Sequence, residues 1–132
     1  MTYGYHACAG MDEGTITFLD VLGWKGIWTR HPCTICIEKL RKLVTDAVNA
    51  VDGLVSTGAA VFDFMRGFRS KDVRIISVSD TIVIHSVGAP DATLWLNTQL
   101  CKLIICESIE EGIPVRGASC YGYFKVSSEG IM

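Results

Sequence analysis

The sequence predicts an α+β sandwich, an antiparallel or mixed sheet with helices on one face, in the order β-α-α-β-β-α-β. Three observations lead there. A short run of β-formers, Thr15 to Leu22 (TITFLDVL), opens the pattern. Two β-branched runs, Val73 to Val78 and Thr81 to Val87, are separated only by Ser79 and Asp80. Between and after them stand segments whose apolar residues recur at helical steps of three and four.

The first run is too short for a helix and closes at Gly23, so it reads as a buried strand interrupted by one carboxylate, Asp20, with residues 1–14 as an extension ahead of it. Next, Ile37, Leu40, Val44, Ala47, Val51 and Leu54 line one side of a segment starting at Thr34. Glu38, Lys39, Arg41, Lys42, Asp46 and Asp52 line the other, the mark of an amphipathic helix. Gly53 and Gly58 are expected to break it, with Ala59 to Phe68 forming a second helical piece before the charged turn 69–72. The two β-branched runs make an antiparallel hairpin with Asp80 at its tip. Pro90 and Asp91 open a helix through Leu96, Leu100, Leu103 and Ile104, which Gly112 and Pro114 stop. Val115 to Val126 returns to strand composition, and the sequence reaches Met132 without a closing turn or helix, so the C-terminal part is expected to be cut short. With no repeat or linker, residues 1–132 read as a single domain of the ferredoxin-like, split β-α-β kind.

Composition narrows the function classes. Twelve Lys and Arg against fourteen Asp and Glu give a net charge of -2, which provides no broad basic surface for a nucleic-acid backbone. Apolar residues make up 49% of the chain, more than so small a domain hides easily, and a subunit interface is expected. No run approaches the roughly 18 apolar residues of a membrane helix, and the first eleven residues lack the features of a signal peptide. The expectation is a cytoplasmic protein without membrane insertion. The six cysteines, at 8, 33, 36, 101, 106 and 120, lie mostly in apolar runs and read largely as reduced core.

An ionised Asp in an apolar strand costs several kcal/mol unless it is paired, hydrogen-bonded or bound to metal, so Asp20 and Asp80 stand out. The first strand and the hairpin are expected to be sheet neighbours, which would bring both carboxylates to one edge. Such a pair favours a hard cation, Mg²⁺ or Mn²⁺, with open positions for phosphate. The plainer alternative is that Asp20 caps the following turn and Asp80 is a turn former. Backbone N–H groups of the turn Leu22-Gly23-Trp24 are candidates to hold a triphosphate.

These segments resemble the class III nucleotidyl cyclases. FLDVLGW (Phe18 to Trp24) is similar to their first metal motif, ISVSDTIVI (Ile76 to Ile84) to the hairpin with the second metal aspartate, and IPVRGASCYG (Ile113 to Gly122) to the glycine-containing strand that follows. The ordered set covers about residues 15 to 126 and looks most like the compact bacterial pyrimidine cyclases of Pycsar antiphage defence. The resemblance implies a cyclase core and two ions held by Asp20, Asp80 and the carbonyl of Val21. It further implies a homodimer with its active site at the interface, and a cyclic UMP or CMP product made from UTP or CTP as a defence signal. Purine cyclases carry a lysine four residues before the second aspartate; here that position is Ile76, which disfavours a purine. The Asn and Arg that steady the family's transition state lie on a segment beyond this chain.

Other signals compete. Pro32-Cys33-Thr34-Ile35-Cys36 matches half of a zinc deaminase pattern, but the His-x-Glu half is missing because the candidate reads His6-Ala7-Cys8; a structural zinc site from His31, Cys33 and Cys36, with Cys8 or His6 as fourth ligand, is a separate alternative. The same two cysteines also fit a redox pair or simply the first turn of a helix. A non-catalytic nucleotide-binding or dimerisation module stays open as well. His85 reads as a satisfied sheet histidine, and Arg116 either pairs with an acid or reaches phosphate. Trp24 and Trp28 either stack on a base or fill core and interface, and Glu107, Glu110 and Glu111 read as a solvated face.

Overall fold

In the computed structural model, which describes residues 11–23, 32–127 and 130–131, β1 (Asp12–Val21) is followed by α1 (Cys33–Val61). The hairpin β2 (Val73–Val78) and β3 (Thr81–Val87), then α2 (Pro90–Glu110) and β4 (Val115–Phe124), complete the main body. A small ribbon, β5 (Val126–Ser127) with β6 (Gly130–Ile131), stands apart. The four long strands form one sheet in the order β2-β3-β1-β4, antiparallel throughout, so the mixed alternative falls away. Among the described residues this is an α+β fold with two α-helices.

Both helices cover the same sheet face. Leu19 and Val21 of β1, Ile82 and Ile84 of β3 and Val115 of β4 pack with Leu40, Leu43, Ala47 and Val51 of α1 and Leu96, Leu100 and Ile104 of α2 in one buried cluster. Strand alternation turns Ile16, Phe18 and Asp20 to the opposite face, where Ile16, Val83 and Phe124 form a smaller cluster. Phe18, Ile76 and Val78 on that face are 43%, 40% and 61% exposed, so it remains largely open.

Four expectations change. The helix break at Gly53 and Gly58 is absent: α1 runs unbroken to Val61, and only a 3₁₀ turn, Asp63–Met65, follows. A Cβ on Gly58 would sit 2.8 Å from the Trp95 ring, so this glycine lets α1 approach α2 closely. The first strand begins at Asp12 rather than Thr15, and β4 ends at Phe124. The cysteines are less buried than expected: Cys36 is buried, but Cys101 is half-buried and Cys106 and Cys120 are exposed. Glu107 and Glu111 do not merely face solvent, because both reach Lys42 of α1, at 2.7 and 3.4 Å. Those contacts join the two helices and raise the Lys42 pKa, the hydrogen bond to Glu107 contributing most.

The end of α2 follows its sequence signal. Gly112 takes φ +77°, its N–H donates to the Ile109 carbonyl at 3.1 Å, and the Ile113 N–H donates to Ser108 at 2.9 Å. These bonds make a Schellman stop, after which Ile113 is buried and the chain enters β4.

Candidate functional site

Asp20 occupies the last rung of the ladder on the open face. Its neighbours in register are Thr81 on β3 and Arg116 on β4. The Thr81 hydroxyl donates to Asp20 Oδ1 at 2.7 Å, which fixes one carboxylate oxygen. Asp20 is exposed, contrary to the buried position expected for it, because alternation carries it away from the helices while Leu19 and Val21 enter the core. The desolvation cost that singled it out therefore does not apply. Arg116, also exposed, belongs to no ion pair among the described residues.

The hairpin brings Asp80 to the same end of the sheet. Ser79 and Asp80 form a two-residue connection in which Ser79 has φ +56°, the left-handed conformation that a II′ turn requires at its first central position. The Asp80 carbonyl accepts the Val21 N–H at 3.0 Å, tying the hairpin tip to the end of β1. Two aspartates remote in sequence thus stand at one end of the sheet. Thr81, whose hydroxyl holds Asp20 and whose neighbour is Asp80, was missed from the sequence; its position opposite Asp20 in the ladder is the signal that identifies it.

The other named residues fare differently. Val21 buries its side chain and spends its N–H on Asp80. The Leu22 N–H donates to the Pro114 carbonyl at 2.8 Å and is not open to phosphate, which corrects the role read for it; Gly23 follows at φ +66°. Trp24, Trp28, His6, Cys8 and His31 lie outside the described residues, as does the Cys33 side chain, so the zinc arrangement falls there too. Ile76 is on the open face, exposed beside Val83.

Among the described residues no group of three or more His, Cys, Asp or Glu side chains is gathered as an all-protein metal cage requires. The acidic residues at this end of the sheet, Asp20 on β1 and Asp80 on the adjoining turn, offer oxygen donors. Mg²⁺ is commonly held by one or two carboxylates, with water and substrate phosphates completing its shell, and this corner fits that chemistry. It does not fit a cage that holds a metal unaided.

His85 departs from the satisfied histidine expected. It is 5% exposed and stacks edge-on to Phe124 with ring centroids 4.6 Å apart, yet neither ring nitrogen has a hydrogen-bond partner. Burial lowers its pKa, Arg74 lowers it further and Asp12 pulls it back. The covered face is the opposite case: buried Asn97 donates to the Thr17 hydroxyl at 2.9 Å and accepts from the Ser86 hydroxyl, while Thr15 and Thr93 hydroxyls meet at 2.8 Å. These polar groups satisfy one another.

Comparison of the chain with protein-family models, with curated proteins and with solved structures found no match. Among the described residues no helix is long and apolar enough to cross a membrane.

Proposed function

We propose that this chain is a nucleotidyl cyclase domain that converts UTP or CTP to the 3′,5′-cyclic monophosphate and pyrophosphate, supplying a signal in antiphage defence. What supports the reading is that the sheet register and the hairpin put Asp20 and Asp80 at one end of the sheet, where the Thr81 hydroxyl holds the Asp20 carboxylate and the Val21 N–H anchors the Asp80 backbone. Asp20 and Asp80 would hold two ions, Mg²⁺ or Mn²⁺, with the Val21 carbonyl as a further ligand. Bound there, the ions would acidify the ribose 3′-hydroxyl and offset the charge of departing pyrophosphate. In the reaction the 3′-oxygen forms a bond to the α-phosphorus while the bond to the bridging oxygen of pyrophosphate breaks. Attack is intramolecular, so orientation supplies much of the rate.

The chain's own residues supply position and charge. Arg116, across the ladder from Asp20, is available to neutralise phosphate. The exposed apolar side chains of Phe18 and Ile76 on this face suit the face of a pyrimidine better than a purine edge needing a donor. The exposed Phe18, Ile76 and Val78 support a homodimer in which a second copy closes the site.

A second reading, a non-catalytic nucleotide-binding or dimerisation module, is favoured by the donor count, since the described residues offer two carboxylates here and no third acid. Incubation with each nucleoside triphosphate and Mn²⁺, followed by chromatography for pyrophosphate and cyclic nucleotide, separates the two. Cyclic UMP or CMP is expected, and lost in both Asp20→Asn and Asp80→Asn. Saturable nucleotide binding with no product from any of the four triphosphates gives the binding module instead.

A further inference from the structure

The open face has a second polar end, about four rungs or roughly 14 Å along the strands from Thr81. There β1 begins, the 3₁₀ turn Ser70–Asp72 leads into β2, and His85 pairs in register with Arg74. Asp12, Lys71, Asp72, Arg74, His85 and Val87 line a cleft of about 230 Å³. That is below the usual 300 to 1,000 Å³ of sites for drug-sized ligands and cofactors, so a small occupant suits it.

The charges in this cleft do not cancel. Asp72 is held by Arg69, Nε to Oδ2 at 3.7 Å. The side chains of Lys71 and Arg74 enter no ion pair or hydrogen bond among the described residues, and Asp12 enters no ion pair. Two unpaired cations therefore face one unpaired carboxylate. His85 in the wall adds a buried ring whose nitrogens are both without partners, and a buried polar group normally has a partner. Arg74 presents a planar fork of donors suited to an oxyanion, and Lys71 adds a mobile point charge.

We infer that this cleft is a binding site for a small oxyanion, a phosphoryl or carboxylate group, held by Arg74 and Lys71, with the His85 ring supplying the buried donor. Asp12 opposes the ligand and sets an upper limit on its charge. The site is independent of the Asp20 and Asp80 corner, and shares with it only the sheet face.

The test is a titration of the protein with inorganic phosphate and, separately, with acetate at constant ionic strength set by chloride. Its readouts are the His85 ring and Arg74 Nε–H nuclear magnetic resonances. Saturable shifts at both residues are expected; phosphate alone acting assigns a phosphoryl ligand, and acetate alone or both acting assigns a site that accepts carboxylates. Arg74→Gln, an exposed position whose fold is checked by circular dichroism, should weaken binding about tenfold, the loss of one charge-assisted hydrogen bond. Asp12→Asn should tighten it. Shifts no larger than those caused by chloride, or equal binding by wild type and Arg74→Gln, would overturn the assignment.

Discussion

The two faces of the sheet come from the same four strands, yet they treat polar groups in opposite ways. On the covered face Thr15, Thr17, Ser86 and Asn97 are buried and joined by hydrogen bonds that reach from α2 into β1 and β3. On the open face His85 is equally buried without a partner, and Arg74 and Arg116 stand outside every ion pair among the described residues. A buried polar group that is satisfied within the chain specifies the fold. One left without a partner leaves hydrogen-bonding capacity for something that is not the chain. The difference gives the covered face a structural part, and on the proposals above recognition falls to the open one.

The comparison breaks if substitutions on the covered face leave stability unchanged. Leu100 is wholly buried between α2 and the sheet, and Leu100→Ala should cost about 3 kcal/mol, from lost transfer energy and the cavity left behind. Asn97→Leu should cost about 2 kcal/mol, because the buried Ser86 hydroxyl loses its acceptor and cannot reach water, while Thr17 keeps only its bond to the Ser119 hydroxyl. Both are read from urea unfolding midpoints. Neither should alter nucleotide binding in the native protein, and a selective loss of binding at full folding would contradict the division of labour.

The hairpin turn sharpens it from the other side. Ser79 holds a left-handed φ that glycine adopts without the Cβ clash, so Ser79→Gly should raise stability by about 1 kcal/mol. Strain retained next to Asp80 is worth keeping only if the turn positions that carboxylate. The expected signature is a more stable protein with weaker nucleotide turnover, and increased stability with unchanged turnover would make the serine incidental. Asp20→Asn, at an exposed site, should move stability by no more than about 0.5 kcal/mol while abolishing cyclic product.

How much of this was legible in the sequence depends on whether the cause was local. The hairpin β2 to β3 and the Gly112 stop of α2 appear at the expected residues because turn chemistry is written in adjacent positions. The continuity of α1 through Gly58 was not legible, since the glycine answers to Trp95 on another helix rather than to its own backbone. The exposure of Asp20 was hidden for a related reason: TITFLDVL has apolar residues on both faces, so its alternation does not reveal which face the helices cover. That Asp20 and Asp80 share a corner follows from strand neighbours that the element order anticipates. Thr81, the Asn97 network and the orphaned His85 depend on register across strands, which no single segment contains.

The smallest expected effect is one of pH. Burial depresses the His85 pKa in the folded protein, with Arg74 adding to the depression and Asp12 opposing it, so the folded state favours the neutral ring. The unfolded chain then binds more protons than the folded one between the lowered value and the ordinary histidine pKa of about 6.5. Stability should be full above about pH 6.5 and decline as pH falls through that window, levelling once both states are protonated. His85→Leu removes this part of the slope, measured as unfolding free energy against pH, while carboxylates elsewhere keep theirs. Bound phosphate should flatten the same window by favouring the protonated ring, and a slope indifferent to both changes would return His85 to a purely packing role.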